Sequence, residues 1–276
     1  MGSKNIKLPK INFSHEDLKP DTLEWNQVKS QVYKALVEYG CFEAFFDKIP
    51  INLQKSIFEV SQEFFDLPIQ TKLKNISTKP FSGYVGQYHS SIPLYESMGI
   101  IDSNIPHKAE KHTQLLWPQG NPSFCKTIQS YLEQLSKLDQ TIRRMIVESL
   151  DKNIVTILYQ NQVKGLEILT KDGQWINVDP TPDTYTVMIG DSLHAWTNGR
   201  MHATFHRVMM RGNEARYSIG LFSKPKAGYI IKAPKELVDE DHPLLFKPFD
   251  FHEFLAFGYT EEDMKYDFSL KAYCGV

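Results

Sequence analysis

Apolar residues recur at threes and fours through the first half of this chain and mostly at twos through the second. That change of period predicts where helices give way to sheet. Leu8 to Phe13 reads as a short first strand. Trp25 to Tyr39 carries Val28, Val32, Ala35 and Leu36 at helical spacing, and Gly40 follows as a stop. Cys41 to Phe46 is a short apolar, aromatic strand. Leu53 to Phe65 is a second amphipathic helix, with Ile57, Val60, Phe64 and Phe65 on its buried side. Phe124 to Leu150 is the longest helical pattern, and its broad apolar stripe predicts a scaffold helix packed on a sheet.

Downstream of that helix, Ile154 to Tyr159 reads as a strand. Leu166 to Thr170 and Trp175 to Val178 form a hairpin around Asp172-Gly173, and Tyr185 to Ile189 follows. Asn198-Gly199 has the composition of a type I′ turn, because both positions accept a positive φ. A strand from Met201 to Met210 would then place His202 and His206 on one face. Gly212-Asn213 marks a looser reversal before a strand that opens with Arg216 and Ser218. Closely spaced strands with turn signals predict an antiparallel barrel or jelly roll. Beyond Lys224 the prolines at 225, 234, 243 and 248 predict a looser tail, with a final helix near Thr260 to Asp267.

The composition, 41% hydrophobic over 276 residues, allows one substantial core or two small ones. A net charge of −2 without a Lys/Arg-rich run argues against nucleic acid or an anionic membrane as partner. Cys41, Cys125 and Cys274 are odd in number and widely spaced, which predicts free thiols in a reducing compartment. The N-terminus has no apolar targeting run, and no window is long enough to span a bilayer. Met1-Gly2 invites a myristoylation reading that Ile6 defeats. The expectation is a soluble cytoplasmic monomer.

Two features carry candidate chemistry. A histidine (His206) followed ten positions later by Arg216-x-Ser218 on an adjacent strand could hold a metal beside a carboxylate. The same histidine could equally be packed or solvent-facing, and the arginine a solvated charge. Lys79 to Ser97 is polar, glycine-bearing and tyrosine-rich, which predicts a functional loop. His89 and His112 read as solvated.

The run from Gly190 to Ser223, with Gly-Asp-x-Leu, Asn-Gly, His-Arg-Val and Arg-Tyr-Ser in order, resembles the C-terminal core of plant Fe(II)/2-oxoglutarate-dependent dioxygenases. The resemblance covers most of the chain from Leu8 onward. Within that superfamily it points to the AOP-type, glucosinolate side-chain-modifying subgroup of specialised metabolism. It implies a mainly β protein with flanking helices: a double-stranded β-helix (jelly-roll) core with an N-terminal α/β buttress. The expected divisions are 1–123 for the N-terminal region and 124–150 for the scaffold helix. Residues 151–225 would be the remaining core and 226–276 the tail.

The resemblance implies Fe(II), 2-oxoglutarate and O2 as cofactor and co-substrates, ascorbate as reductant, and a small-molecule substrate. Such oxygenases hold iron with two histidines and one carboxylate. Asp151, 55 positions before His206, maps to the carboxylate, and His206 to the distal histidine. Arg216 and Ser218 map to the pair that binds the far carboxylate of 2-oxoglutarate. Tyr84 and Tyr88 map near the substrate mouth, or else simply pack their loop down.

The first histidine of the family's His-x-Asp is missing, because Ser149 stands two positions before Asp151. The strands that normally precede that motif are missing too, so the core is expected to be incomplete, with unpaired sheet edges. His202 does not repair the site: four residues along a strand is roughly 13 Å at ~3.3 Å per residue. His194, across the Asn198-Gly199 turn, would face His202 as a packing pair. Three readings stay open: an oxygenase, an inactive remnant of one, and a carboxylate-binding module without turnover.

Overall fold

The computed structural model describes residues 7–16, 18–77, 79, 81–86, 94–101, 105–150, 155–226, 228–257 and 270–276, with the side chains at 106, 149 and 150 outside that set. Internal contacts divide the chain into two compact units, one formed by 1–48 with 137–276 and the other by 49–136.

The first unit opens with β1 (Lys10–Asn12), α1 (Leu23–Glu38) and β2 (Cys41–Phe45). Thr22 starts α1 because its hydroxyl accepts the Trp25 N–H at 3.1 Å, satisfying a donor that the first turn leaves open. Gly40 ends it at φ +72°, a conformation that favours glycine, with its N–H donating to Leu36 at 3.1 Å. The buried stripe is Trp25, Val28, Val32, Ala35 and Leu36, as the spacing predicts.

In the second unit the elements are α2 (Ile51–Phe65), α3 (Ile69–Lys72), β3 (Gly83–Val85), β4 (Ser97–Gly99) and α4 (Pro106–Leu116). The long helix α5 (Pro122–Leu150) passes from this unit into the first. On α2, Ile57, Val60 and Phe64 are buried and Phe65 is half-buried. The stretch expected to be a continuous loop instead contains β3 and β4, which pair antiparallel with Tyr84 opposite Met98.

After α5 the first unit resumes with β5 (Val155–Gln160), β6 (Leu166–Leu169), β7 (Trp175–Asn177) and β8 (Thr184–Ile189). Then come α6 (Asp191–Trp196), β9 (His206–Val208), β10 (Ser218–Phe222), β11 (Ile230–Ile231), β12 (Phe249–Asp250), α7 (Phe251–Phe257) and α8 (Leu270–Cys274). The final helix expected near 260–267 lies outside the described residues.

Two sheets form the core of this unit. One has the order β1-β2-β8-β5-β10 and the other β7-β6-β9; only the β1–β2 pair is parallel. An apolar cluster joins them. Cys41 and Met188, register partners on β2 and β8, pack with Leu166 and Ile168 of β6 and Ile176 of β7. This is the mainly β, jelly-roll arrangement with flanking helices that the sequence implied. All three cysteines are buried and free. Burial pushes the Cys41 thiol up to about 12. Among the described residues, no helix is long and apolar enough to cross a membrane.

The Asn198-Gly199 hairpin is corrected. Both residues do take positive φ, +51° and +79°, but the segment before them is helix α6 rather than a strand. The Gly199 N–H donates to the His194 carbonyl at 2.9 Å, so the pair closes a helix instead of joining two strands. Buried Leu193, Ala195 and Trp196 fill a helical turn there, which outweighs the turn signal. The long strand expected from Met201 to Met210 shortens accordingly to β9.

Candidate functional site

The two sheets leave a cavity of about 120 Å³ between them. It is lined by Thr156 and Leu158 from β5, Met188 from β8, Phe222 from β10, and Thr204 and His206 around the start of β9. A larger, open depression of about 350 Å³ beside Trp196, Tyr229 and Lys232 contains none of the residues singled out from the sequence.

His206 reaches the inter-sheet cavity because the irregular segment before it is pinned to the five-stranded sheet. The Thr204 N–H donates to the Ile189 carbonyl at 3.0 Å and the Thr204 hydroxyl to the Gly40 carbonyl at 2.7 Å. The ring itself is exposed, and its Nδ1 lies 3.4 Å from the Thr204 carbonyl oxygen. His202 precedes β9 rather than sharing a strand with His206. Its N–H donates to Leu36 at 3.2 Å, and burial, then Lys171 and His194, lowers its pKa. His194 does not face His202 across a hairpin. Its Nδ1 lies 2.6 Å from the Met201 carbonyl oxygen and its ring packs edge-on against Phe246.

Arg216 precedes β10, and Ser218 is that strand's first residue. Ser218 is the register partner of Gln160, Gly220 of Leu158, and Phe222 of Thr156. Alternation along the two strands therefore puts Ser218 and Gln160 on the face that lines the cavity. The Arg216 guanidinium is half-buried, which lowers its pKa, and it donates through Nη2 (2.7 Å) and Nε (3.3 Å) to Gln160 Oε1. Next to it, the Asn161 side chain accepts the Tyr217 N–H at 3.1 Å and donates to the Ala215 carbonyl at 3.1 Å. Sequence reading passed over Gln160 and Asn161. Their signal was a polar pair closing an otherwise apolar strand.

The remaining candidates divide. Asp151 and Tyr88 lie outside the described residues, as does His89. Tyr84 is buried in β3, where its hydroxyl donates to Glu96, and Lys72 donates to the same carboxylate oxygen at 2.7 Å. Its polar end is thus engaged within its own unit. His112, expected to be solvated, is half-buried: its Nε2 lies 3.2 Å from the Met98 sulfur, and burial lowers its pKa to about 4.

Fe(II) oxygenases present two imidazoles and a carboxylate on one face. Among the described residues, no three His, Cys, Asp or Glu side chains gather closely enough to hold a metal ion. Of the residues that the resemblance assigns to this motif, His206 is described, whereas Asp151 and the side chain of Ser149 lie outside the described residues. For a carboxylate, by contrast, the Arg216 fork and the Ser218 hydroxyl are a fitting pair.

Residues 128–225 match the 2OG-Fe(II) oxygenase superfamily, and residues 8–120 match the family described as the non-haem dioxygenase in morphine synthesis N-terminal. The chain is 46% identical to a probable 2-oxoglutarate-dependent dioxygenase AOP1.2 of Arabidopsis thaliana, over 94% of this chain and 93% of the relative. That alignment spans 303 residues, more than the 276 of this chain, so the relative carries residues with no counterpart here. A probable inactive 2-oxoglutarate-dependent dioxygenase AOP2 of the same plant is 32% identical over all of this chain and 99% of its own length. Among solved structures, the rice dioxygenase for auxin oxidation superposes with a TM-score of 0.80 at 25% identity, covering 98% of this chain and all of that one.

Proposed function

This chain belongs to the 2OG-Fe(II) oxygenase superfamily, and we propose that it binds 2-oxoglutarate through Arg216 and Ser218 in the service of oxidising a small metabolite of plant specialised metabolism. O2 would be the second co-substrate and ascorbate the reductant. The observation that carries this reading is the guanidinium of Arg216, held by Gln160 at the entrance to β10. A half-buried guanidinium keeps its charge and offers a planar fork to a carboxylate. The cavity between the sheets, with Phe222 and Leu158 on its wall, leaves room for the apolar stem of such a ligand.

The iron end is the weaker half. His206 and Asp151 are the residues assigned to the metal, and Ser149 replaces the third donor. A hydroxyl is a much poorer ligand than an imidazole. Loss of an outer-shell partner alone typically costs roughly ten- to a hundredfold in affinity or activity. For the chain as it stands we therefore propose an oxygenase that keeps its 2-oxoglutarate site and whose turnover stays near background until the third donor is restored. The residues that AOP1.2 has and this chain lacks are assigned to the junction before Asp151.

The test measures 2-oxoglutarate binding by calorimetry and Fe(II)-dependent succinate formation on the same purified protein. A second protein carries a His-x-Asp segment restored ahead of Asp151. Expected are binding that Arg216→Ala abolishes, succinate at background for the chain itself, and turnover after restoration. A folded chain that does not bind 2-oxoglutarate would overturn the reading. Turnover by the unrestored chain that disappears in His206→Ala would overturn the missing-ligand half.

A further inference from the structure

The carboxylate-binding arginine is held at both ends by one dipeptide. Asn161 fixes the backbone around it: its side chain contacts Ala215 and Tyr217, and its own N–H donates to the Tyr217 carbonyl at 3.0 Å. Gln160 fixes the head group. Its Oε1 takes the Nε and Nη2 donors of Arg216, while its Nε2 donates to the Val178 carbonyl at 3.4 Å. That second bond decides which way the amide points. Gly165 completes the seat: an added β-carbon there would lie 3.3 Å from Arg216 Cδ, so the arginine stem lies against bare backbone.

We propose that Gln160 and Asn161 are positioning residues that set the Arg216 guanidinium in advance for a ligand carboxylate, an inference that rests on the co-substrate reading above. A guanidinium has five N–H donors. Gln160 occupies the edge made by Nε and Nη2, and Nη1 meets no protein acceptor among the described residues, so the outer edge faces the ligand. The choice of amide matters. A neutral acceptor orients the cation and leaves its charge for the ligand, whereas a carboxylate in its place would compete with that ligand. Gln160 is itself buried, so the tether is shielded from water and its partner bonds do not exchange freely with solvent.

Gln160→Glu separates positioning from mere support. The added charge should pair with Arg216 and leave the melting temperature unchanged or higher, while weakening 2-oxoglutarate binding about ten- to a hundredfold. Gln160→Ala and Asn161→Ala should weaken it less. A purely structural role would move stability and affinity together. Nitrogen-15 NMR of the Arg216 Nε–H, assigned by its absence in Arg216→Lys, follows the tether without any ligand. A resolved, exchange-protected signal in the native chain should broaden or average in Gln160→Ala. Native-like affinity in Gln160→Glu, or an Arg216 signal indifferent to Gln160→Ala, would overturn the positioning role alone. Absence of 2-oxoglutarate binding in the native chain would overturn the co-substrate reading and this role with it, whatever the NMR shows.

Discussion

A β-carbon added to Gly40 would sit 1.9 Å from the carbonyl oxygen of His202. This contact joins the end of α1 to the segment that leads into β9. Around it, the Gly40 carbonyl accepts from Ile189 and from the Thr204 hydroxyl, so one glycine connects the helix, β8 and the approach to His206. Gly40→Ala meets two penalties: a left-handed φ of +72° and a backbone clash that no side-chain rotation relieves. The expected loss is about 2–5 kcal/mol, read from urea unfolding followed by tryptophan fluorescence. Gly173→Ala is the control. It has a similar φ of +81° with nothing within 4 Å, and should lose only about 1–2 kcal/mol. Equal losses at the two positions would show that the close approach is not there.

The last turns of α5 are tied to α1 through one carboxylate. Glu148 Oε2 accepts from Trp25 Nε1 at 2.7 Å and from Lys29 at 3.3 Å, and Oε1 accepts from Arg144 at 3.0 Å. Burial pushes its pKa up, but the hydrogen bonds from Trp25, Arg144 and Lys29 outweigh that, and the net shift is downward from 4.5. A carboxylate with a lowered folded pKa contributes stability above its unfolded value and loses it as pH falls through the folded one. The native chain should therefore lose stability on acidification below about pH 4.5. Glu148→Gln should flatten that part of the profile while lowering stability at neutral pH. An acid limb unchanged by Glu148→Gln would show that other carboxylates carry it.

Most of the architecture was legible because burial follows period. The stripe on α1, the apolar face of α2, the extent of α5, the Asp172-Gly173 hairpin and the alternating strands all depend on side chains meeting one core. The errors lie where a local signal competes with packing. Asn198-Gly199 has the same backbone requirement in a hairpin and at a helix end, and only buried Leu193 and Trp196 decide between them. Tyr84 looked like a loop aromatic because the polar residues around it hide a three-residue strand. His206, Arg216 and Ser218 were visible as residue types, but the tether to Gln160 joins positions 56 apart and has no period to betray it.

Both strands that carry the assigned residues stand at sheet edges. Among the described residues β9 pairs only with β6 and β10 only with β5. Phe205, Val208, Met209, Met210 and Phe222 are exposed along them. Open edges beside apolar side chains favour pairing with another chain. Sedimentation velocity should therefore show association that rises with protein concentration. Val208→Lys with Met210→Lys should weaken it by about tenfold or more, because like charges would face each other across the contact. A native chain that stays monomeric through the micromolar range would mean that these edges are already covered.

The register of β9 is set by a charged pair rather than by apolar contact. All three of its residues are exposed, yet Arg207 lies opposite Glu167 of β6 and donates to its buried carboxylate at 2.8 Å. Arg211 reaches the other oxygen of Glu167 at 3.3 Å, and the Arg207 guanidinium sits 4.0 Å from the centre of the Trp175 ring on β7. One arginine thus bonds β6 and covers β7 while flanking His206. Removing it leaves a carboxylate that is buried but only partly compensated by Arg211. Arg207→Ala should cost about 1–3 kcal/mol, discounted from a fully buried pair because the arginine is partly in water. In the double variant with Glu167→Gln the loss should be smaller than the sum of the two single losses, since the stranded charge is then gone. Arg207→Lys should recover little, as a lysine offers neither the planar fork nor the ring stacking. Strict additivity in that cycle would mean that the pair does not hold β9, and that the strand is placed by Thr204 and Gly40 alone.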